Sequence, residues 1–474
     1  MQSFDLIVIG SGPAGEKAAV KAAFFGFKVA IIEKEKKMGG AGVNTGTLPS
    51  KTLKETALYY SGKYDKGLYG IDKELKDGAS IESFMYRKQV VCSSMNKEVY
   101  RNLCRHKVKI FKGRGRLEDS HTVRVLGTKE EVITGKFIII ATGSYPFHPD
   151  MIPFDGIRIH DSDTILDIQK FPKSLCIVGA GVIGCEYATI FSTMGVDVFL
   201  VNDKNEILGF LDGEITKSLV SEMRKDGIEI LFETRIQSIN VPPYEHEPVD
   251  VALSDGSTLH VDMFLYAAGR SGNISGLNAQ SVGINIGKRE SIVVNDKYQT
   301  SVPNIYAVGD VIGFPALAST SMDQGRVAVS HMFDINDHDA LAKIFPYGIY
   351  TVPEVSMVGL TESEAQKKQL DFETGTANFS FMPRGKIMGV TNGLLKLVFK
   401  KDDLSIVGVH IIGHLASELI HFGLSLIENK KTLLEVVSYI FNYPTLHDLY
   451  KYASYNGLGK VAQKSPLIKS EIPD

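Results

Sequence analysis

The 474-residue sequence has no tryptophan, only four cysteines and no long apolar run. Its apolar runs, such as Phe137 to Thr142, are far shorter than the ~20 residues of a membrane helix, so no membrane span is expected. A strand and a glycine loop begin within ten residues of Met1, which argues against a signal peptide. The cysteine spacing fits neither a disulfide framework nor a zinc site, and a reduced, cytoplasmic protein is expected. The four residues are Cys92, Cys104, Cys176 and Cys185.

The sequence also lacks a strong charge of either sign. The formal net charge is −3, and no basic block occurs, so nothing favours nucleic acid as a partner. Hydrophobic residues make up 44% and charged residues 23%, close to the average of globular proteins. At roughly 150 residues per domain, the length predicts about three domains. Function must therefore be sought in motifs rather than in composition.

The first motif is a strand, a glycine-rich turn, a helix and a second strand. The strand is predicted from Phe4 to Gly10, the helix from Ala14 to Phe25, and the second strand from Lys28 to Glu33. Between them stand three glycines in G-x-G-x-x-G spacing: Gly10, Gly12 and Gly15. This is a βαβ unit with a dinucleotide fingerprint.

Each part of this unit has a physical task. The first glycine permits the tight turn, the second lets a pyrophosphate approach the backbone, and the third lets helix and strand pack closely. The helix N-terminus offers free N–H groups and partial positive charge to the phosphates. Glu33 is placed to bond a ribose hydroxyl. A phosphate-binding loop of the kinase type needs Lys directly after the last glycine, where this chain has Glu16.

The same pattern returns in the middle of the chain. A strand from Leu175 to Val178 precedes a glycine turn and a helix, and a strand from Asp197 to Val201 follows. Gly10 to Glu33 and Gly179 to Asn202 each span 23 positions. The glycines of the second turn are Gly179, Gly181 and Gly184. Two units in one chain imply two bound dinucleotides.

The two units differ at the end of the second strand. A carboxylate there bonds the 2′-hydroxyl of NAD and repels a 2′-phosphate, but the second unit has neutral Asn202, followed by Asp203 and Lys204. Lys204 could partly neutralise a phosphate. The second site is therefore predicted to accept both NAD(H) and NADP(H). The alternative is that Asn202 is an ordinary residue at a strand end.

Three further segments are predicted as buried strands that end in glycine turns: Ile138 to Gly143, Leu265 to Arg270, and Ile305 to Asp310. Asp310 lies at a carboxyl end, where parallel sheets place ligand contacts. From about Pro346 the pattern changes to neighbouring strands and an amphipathic helix. These are predicted at Leu394 to Lys400, Ser405 to Ile412, and Ala416 to Glu428. The predicted class is α/β, with two Rossmann-like dinucleotide-binding domains and a C-terminal α+β domain.

Together these motifs resemble the class I pyridine nucleotide-disulfide oxidoreductase family, from Gly10 to about Lys460. The resemblance rests on five parts of the sequence. These are the two glycine fingerprints and the segments GGAGVNTGTLPSK from Gly39, ATG from Ala141 and VGD from Val308. The resemblance implies a homodimer with four segments. These are an FAD-binding domain in two parts, 1–150 and 272–345, an NAD(P)-binding domain, 151–271, and a dimerisation domain, 346–474.

The resemblance also implies the site residues. Lys51 would lie near flavin N5 and pair with Glu186, which would also hold the nicotinamide carboxamide; the alternatives are a solvated lysine and a surface acid. The FAD contacts would be Gly10, Gly12, Gly15, Glu33, Gly39, Gly40, Lys51, Gly115, Thr142, Gly143, Asp310, Ala316, Leu317 and Ala318. The NAD(P) contacts would be Gly179, Gly181, Val182, Ile183, Gly184, Glu186, Asn202, Lys204 and Gly269.

The chain departs from the disulfide reductases at two places. Their two redox cysteines have four residues between them, and this chain has Gly42 and Thr47 there. Neither residue can form a thiolate or a disulfide. The histidine that serves the thiols from the partner subunit is replaced by Tyr443, with Asp448 at the acid position. An unperturbed phenol, with a pKa of about 10, is a poor base at neutral pH. Disulfide chemistry is therefore not expected.

One branch of the family, the pyridine nucleotide transhydrogenases, resembles this chain more closely. The shared segments are GTLPSK from Gly46, GAGVIGCEYATIF from Gly179, FLD from Phe210, YAVGDVIGFPALAS from Tyr306, DQGR from Asp323, PYGIYTVPE from Pro346 and FNYPT from Phe441. The resemblance implies Si-specific, FAD-dependent hydride transfer between NAD(H) and NADP(H) by a ping-pong mechanism. The branch keeps one cysteine where this chain has Gly42. Three alternatives stay open: a lipoamide-dehydrogenase-like disulfide reductase, an NAD(P)H diaphorase or quinone reductase, and a non-catalytic flavin-binding scaffold.

A metal site is not predicted. His410 and His414 are four residues apart, as in a zinc-binding helix, but the glutamate that follows the first histidine in such helices is missing. Gly413 also interrupts the segment. His447 beside Asp448 is predicted to be structural, because adjacent helix residues point in different directions.

Overall fold

The computed structural model describes residues 2–65, 68–69, 79–244, 246–336 and 342–464. The helices are α1 Pro13–Phe24, α2 Gly40–Asn44, α3 Thr47–Ser61, α4 Ile81–Arg105, α5 Val182–Thr193, α6 Gly213–Lys225, α7 Ala318–Met332, α8 Glu362–Lys367, α9 Pro383–Ile387, α10 Ala416–Glu428, α11 Leu433–Ser438 and α12 Asp448–Lys464. The strands are β1 Gln2–Ile9, β2 Val29–Glu33, β3 Lys109–Lys112, β4 Arg114–Leu117, β5 Thr122–Leu126, β6 Glu131–Ile140, β7 Ser144–Pro146, β8 Ile159–Asp161, β9 Ser174–Val178, β10 Asp197–Val201, β11 Glu229–Leu231, β12 Ile236–Asn240, β13 Val249–Leu253, β14 Thr258–Val261, β15 Met263–Tyr266, β16 Arg270–Gly272, β17 Ile305–Ala307, β18 Tyr347–Ile349, β19 Val355–Gly359, β20 Phe372–Asn378, β21 Leu394–Lys400 and β22 Ile406–Ile412.

The first sheet has seven strands in the order β3-β2-β1-β6-β5-β4, and β17 pairs with β6. The strands β3, β2, β1, β6 and β17 run parallel. Helices cover parallel sheets on both faces, so their strands are apolar throughout, and Leu6, Ile7 and Val8 are fully buried. Although β17 is far along the chain, it completes this sheet. The predicted strands at Ile138 and Ile305 are therefore both present, and the structure shows that they pair with each other.

The second sheet has five parallel strands in the order β11-β10-β9-β15-β8. Its central strands β9, β10 and β15 agree with the predicted segments within two residues at their N-terminal ends. Both predicted βαβ units are thus present, each with its glycine turn at the carboxyl end of a central strand. This is the edge of a sheet where α/β proteins bind ligands.

The third sheet is antiparallel, in the order β18-β19-β22-β21-β20. Two of its strands and helix α10 were predicted from the sequence, whereas β18, β19 and β20 were not. Strand β18 is only three residues long, and a segment of this length carries little periodicity. The predicted α/β class with a C-terminal α+β domain is confirmed. In the described part of the chain, no helix has the length and apolar character needed to cross a membrane.

Candidate active site

The first glycine turn, the first residues of α5 and the third sheet line one large cavity. Its volume is about 2370 Å³, larger than the ~300–1,000 Å³ of a typical ligand site. Most of the predicted site residues line it: Gly10, Gly12, Glu33, Gly40, Lys51, Gly115, Thr142, Gly143, Val182, Ile183, Glu186, Gly269, Asp310, Ala316, Leu317 and Ala318. A cavity of this size and lining has room for more than one extended ligand.

The fingerprint glycines divide into those that the fold needs and those that a ligand needs. Gly10 has φ +106° and Gly179 has φ +100°, a conformation that residues with a side chain rarely adopt. A Cβ on Gly184 would collide with the carbonyl oxygen of Gly179. A Cβ on Gly181 would meet nothing within 4 Å, and one on Gly12 would meet only a Cα at 3.8 Å. The second glycine of each turn is therefore not required by packing, which fits the approach of a pyrophosphate.

Both turns lead into helix N-termini suited to anions. Helix α1 begins after Gly12 and α5 after Gly181, and no described side chain caps either end. The N–H groups of the first turn of α5 therefore have no competing side-chain acceptor. Uncapped N–H groups and the helix dipole make each terminus a site for phosphate.

Glu33 lies at the end of β2 with its orientation fixed. Its Oε2 accepts hydrogen bonds from the Ser11 amide at 2.9 Å and the Ser11 hydroxyl at 2.6 Å, and its Oε1 accepts one from the Glu35 amide at 2.8 Å. The carboxylate is 5% exposed and lines the cavity. These bonds position an acceptor where the ribose of a dinucleotide is expected. Gly39, another predicted contact, lies outside the cavity wall and donates to the Ser11 hydroxyl at 3.1 Å.

Lys51 and Glu186 meet in the cavity wall. The Lys51 Nζ lies 2.8 Å from Oε1 and 2.6 Å from Oε2 of Glu186, although the residues are 135 positions apart. The carboxylate is 5% exposed and the lysine 24% exposed, so the cation keeps a face toward the cavity. Helix α3 carries the lysine and helix α5 the glutamate, and each helix follows a segment that the resemblance identified. The pairing predicted from the resemblance is present.

A third residue, Tyr350, completes this group and was not predicted. Its amide donates to Glu186 Oε1 at 2.9 Å, and its ring centre lies 5.0 Å from Lys51 Nζ, a cation–π distance. Burial raises the pKa of the Tyr350 phenol, and the nearby Glu354 carboxylate raises it further. The segment after β18 thus fixes the ion pair from the C-terminal domain. The shared segment from Pro346 to Glu354 contains this tyrosine, but its residue types alone do not indicate a role for it.

The guanidinium of Arg270, next to the predicted contact Gly269, forms hydrogen bonds and an ion pair within the protein. Its guanidinium donates to the Ser144 hydroxyl at 2.9 Å, to the Ser144 carbonyl at 3.0 Å and to the Ser162 hydroxyl at 3.1 Å. It also lies 3.4 Å from Asp163. Burial raises the pKa of Asp163, and Arg270 opposes that shift. Arg270 therefore joins β16 to the wall of the cavity rather than presenting a free cation.

Several buried polar atoms in the cavity wall have no hydrogen-bond partner within the described residues. They are Asn96 Oδ1, Thr142 Oγ1, Tyr347 OH and Ser417 Oγ. Burial raises the pKa of Tyr347 to about 12, so its hydroxyl stays protonated and can donate. Leaving such atoms unpaired costs stability. With the two uncapped helix ends, they form a donor and acceptor set that fits polar dinucleotides.

The predicted NAD(P) contacts at the end of β10 lie away from the cavity wall. Both amide hydrogens of Asn202 are donated, to the Lys204 carbonyl at 3.1 Å and the Glu206 carbonyl at 2.8 Å. Its Oδ1 accepts from the Ala180 amide at 3.3 Å. Asn202 therefore has a structural role. This agrees with the alternative that it is an ordinary residue at a strand end. Of the predicted set, the contacts outside the wall are Gly15, Gly39, Gly179, Gly181, Gly184, Asn202 and Lys204.

No thiol pair serves this cavity. All four cysteines lie within the described ranges and are free. Cys92 lines the cavity alone, and burial raises the pKa of its thiol. Gly42 and Thr47 also line the cavity, at the positions of the missing pair. Cys185 is fully buried, as expected for a packing residue.

The histidines that were considered for metal binding have structural contacts. His410 is buried, and its Nε2 lies 2.9 Å from the Leu360 carbonyl. The His414 ring packs against Tyr64 at 5.0 Å. Burial lowers the pKa of both imidazoles. His447 packs against aromatic rings just before α12, in agreement with the predicted structural role.

Two βαβ units that face one cavity, an antiparallel third sheet and a Lys–Glu pair define a two-dinucleotide flavoprotein oxidoreductase. Residues 4–325 match the family described as pyridine nucleotide-disulphide oxidoreductase, and residues 345–454 match its dimerisation domain. The chain belongs to this family, and FAD and NAD(P)H are its cofactors. The dimerisation domain indicates a homo-oligomer.

The curated relatives indicate which branch of the family the chain resembles most. The chain is 39% identical to the soluble pyridine nucleotide transhydrogenase of Mycobacterium bovis (strain BCG / Pasteur 1173P2), over 97% of this chain and 98% of the relative. It is 38% identical to the enzyme of that name from Colwellia psychrerythraea, over 97% and 98%. The enzyme of that name from Marinomonas sp. is 37% identical, over 97% and 99%. The resemblance drawn from the motifs is thus confirmed along nearly the whole chain.

Solved structures share the fold. The Cu(II) complex of the HOCl-induced flavoprotein disulfide reductase RclA from Escherichia coli superposes with a TM-score of 0.87 at 25% identity, covering 96% of this chain and 100% of that one. LpdA from Mycobacterium tuberculosis also has a TM-score of 0.87, at 24% identity, covering 96% and 99%. The second likeness concerns the fold alone.

Proposed function

We propose that this chain is an FAD-dependent enzyme that transfers hydride between NAD(H) and NADP(H). One observation carries the proposal: both dinucleotide units open on a single cavity that contains the Lys51–Glu186 pair but no pair of thiols. A reductase of disulfides needs a sulfur relay on the far side of the flavin, and this chain has Gly42 and Thr47 there. The names of the curated relatives support the same activity.

The four segments have separate tasks in this proposal. Residues 1–150 and 272–345 hold FAD, residues 151–271 hold the nicotinamide dinucleotide, and residues 346–474 mediate association. The pairing of β17 with β6 supports the two-part FAD domain. The dimer, and a cytoplasmic location, also remain part of the proposal.

Within this proposal the protein supplies position and charge. Bound FAD would supply the redox centre that passes hydride between the two nicotinamides. Lys51 places a cation in the cavity wall, which favours negative charge on a reduced ring nearby. Glu186 keeps that cation in place and holds the nicotinamide carboxamide. The Tyr350 amide fixes Glu186, so three parts of the chain determine where the charge lies.

The second dinucleotide unit accepts both nicotinamide forms in this proposal. Asn202 carries no charge that would repel a 2′-phosphate, and Lys204 beside it is a cation. A ratio of kcat/KM for NADH and NADPH beyond about 10³ would contradict dual use, since it corresponds to about 4 kcal/mol of discrimination. The proposed transfer is Si-specific, so deuterium should leave only from the 4S position of labelled NADH. Loss of label from the 4R position would reject that stereochemistry.

The test of the activity is anaerobic. The purified enzyme is mixed with NADPH and thio-NAD⁺, and formation of thio-NADH is followed by its absorbance. Steady formation at the expense of NADPH is expected, with no turnover of lipoamide or oxidised glutathione in parallel reactions. Turnover of a disulfide would contradict the proposal. Rapid reduction of a quinone without thio-NADH formation would favour a diaphorase instead.

A further inference from the structure

A tight turn outside the NAD(P) unit carries an arginine in an unusual conformation. Residues 287–291 form the turn. The Gly287 amide donates to the Ser291 carbonyl at 2.7 Å, and the Ser291 amide donates to the Lys288 carbonyl at 3.2 Å. Arg289 has φ +53° and ψ +37°, and Glu290 has φ +58°. Two consecutive left-handed positions favour Asn or Gly, and other residues there cost stability. A residue kept in a strained conformation invites a functional explanation.

The turn holds Arg289 against the second dinucleotide unit. A Cβ built on Gly269 would lie 3.5 Å from Arg289 Nη1 and 3.8 Å from its Cζ. Gly269 lines the cavity. The neighbouring Ala268 contacts the second glycine turn, because a Cβ on Gly179 would lie 2.8 Å from the Ala268 Cα. Ala268 and Gly269 thus connect the guanidinium to the turn whose helix end suits a pyrophosphate.

The charge of Arg289 is not neutralised by a carboxylate in the described part of the protein. Its side chain is exposed, and among the described residues it has no ion-pair partner and donates no hydrogen bond. Arg270, close by, is by contrast fully engaged. Glu290 accepts a hydrogen bond from the Tyr145 hydroxyl at 2.6 Å, which attaches the turn to β7. The arginine is therefore held in position, and its cation remains available for an anion.

We propose that Arg289 binds the pyrophosphate of the nicotinamide dinucleotide from outside residues 151–271. The inference rests on the proposed function, which places a nicotinamide dinucleotide in the second unit. Pyrophosphate is common to NAD(H) and NADP(H), so the contact strengthens the binding of both equally. It adds affinity without discriminating between the two forms, as an enzyme that uses both requires.

The variant Arg289→Asn removes the positive charge and keeps the turn, because asparagine tolerates the left-handed conformation. In the FAD-loaded enzyme, the Kd for ADP-ribose measured by calorimetry should rise about tenfold, equivalent to 1.4 kcal/mol. The KM values for NADH and NADPH should rise by the same factor, and binding should depend less on salt. The unfolding temperature should stay equal or increase. Lys288→Asn, one residue earlier in the same turn, is the matched control and should change none of these values, while Arg289→Lys should recover part of the affinity.

Unchanged affinity for ADP-ribose in Arg289→Asn would overturn the proposal. A loss confined to NADPH would also overturn it, because that result assigns the arginine to the 2′-phosphate. The two levels of inference can be separated. If thio-NADH does not form in the wild type, yet the variant binds ADP-ribose more weakly, the proposed activity fails and the role of Arg289 stands.

Discussion

The ammonium of Lys51 is held by both oxygens of one carboxylate and lies over one aromatic ring, yet it keeps about a quarter of its side chain exposed. A purely structural ion pair has no need to face a cavity. Because Glu186 is 5% exposed, the pair is sheltered from solvent on the carboxylate side and open on the lysine side. Exposure on the lysine side suits a cation that stabilises negative charge on a ring bound in the cavity.

Replacing Lys51 with methionine should therefore slow reduction of the bound flavin. Removal of one preorganised charge-stabilising group typically costs about 10²-fold in rate. Anaerobic stopped-flow mixing with NADPH measures this step directly. Lys401→Met, which removes a half-buried cation that follows β21 and pairs with Asp371, is the control. An unchanged rate in Lys51→Met would remove the lysine from the mechanism.

The residue scale also shows where sequence reasoning stops. The Lys51–Glu186 pair was predicted because both residues stand in motifs of the family. Tyr350 bonds Glu186 from 164 positions away through its backbone, and no residue-type pattern marks a backbone donor. Arg289 was missed for a related reason. Its conformation and its approach to Gly269 depend on a turn geometry that the letters Lys-Arg-Glu do not suggest.

At the scale of elements, the two glycine turns were predictable because the backbone itself requires glycine. Positive φ at Gly10 and Gly179 and the close contact at Gly184 follow from the fold, so the spacing appears in the sequence. The roles of the residues at the ends of the two following strands, β2 and β10, were not equally predictable. Glu33 and Asn202 occupy the same spacing, but Asn202 has donated both amide hydrogens to the chain's own carbonyls. Three strands of the third sheet, β18, β19 and β20, were also missed, because their pairing depends on partners distant in sequence.

The glycines of the second turn give a prediction that separates binding from folding. Gly181→Ala adds a methyl group that meets no protein atom within 4 Å, so the unfolding temperature should hardly change. The methyl group would occupy the space proposed for a pyrophosphate, and the KM values for both nicotinamide forms should rise at least about tenfold. Gly184→Ala forces a methyl group against the Gly179 carbonyl and should cost about 1–3 kcal/mol of stability.

Thermal unfolding and steady-state kinetics on the two variants check this prediction. If Gly181→Ala unfolds at the lower temperature and Gly184→Ala does not, the assigned roles of the two glycines are reversed. If Gly181→Ala binds NADH normally, the open space beside it does not receive the phosphates.

At the scale of the whole molecule, a buried lysine joins the NAD(P) unit to the third sheet. Lys396 on β21 is 2% exposed, and its Nζ lies 2.8 Å from Asp212 and 3.1 Å from Glu214 at the start of α6. It also pairs with Glu362 at the start of α8. The three carboxylates could have suggested a metal site, but the ammonium already lies among them. The Tyr350 amide joins the same two parts of the molecule, so both contacts fix the C-terminal domain against the cavity.

The charges in this cluster determine its dependence on pH. Burial would raise the pKa of Asp212, but the hydrogen bond and charge of Lys396 outweigh it and hold that pKa below its ordinary 3.8. Burial would lower the pKa of Lys396, but its carboxylate partners raise it above 10.5. Asp212 therefore adds stability above pH 3.8 that is lost as the pH falls through its lower folded pKa. Lys396 adds stability below pH 10.5 that is lost as the pH rises through its higher folded pKa. His410, which faces the cluster, has a lowered pKa because it is buried.

Lys396→Met should destabilise the protein by about 3–5 kcal/mol, because it leaves the Asp212 carboxylate buried without its cation. Without that cation the pKa of Asp212 rises, so destabilisation in acid should begin at a higher pH than in the wild type. Unfolding temperatures recorded from pH 3 to pH 7 would show the shift. The double variant Asp212→Asn/Lys396→Met removes both charges, and it should be more stable than Lys396→Met alone and lose the shifted acid transition. Superimposable pH profiles for Lys396→Met and the wild type would show that the cluster does not couple the two domains through charge, and the contact at Tyr350 would then be the connection to examine.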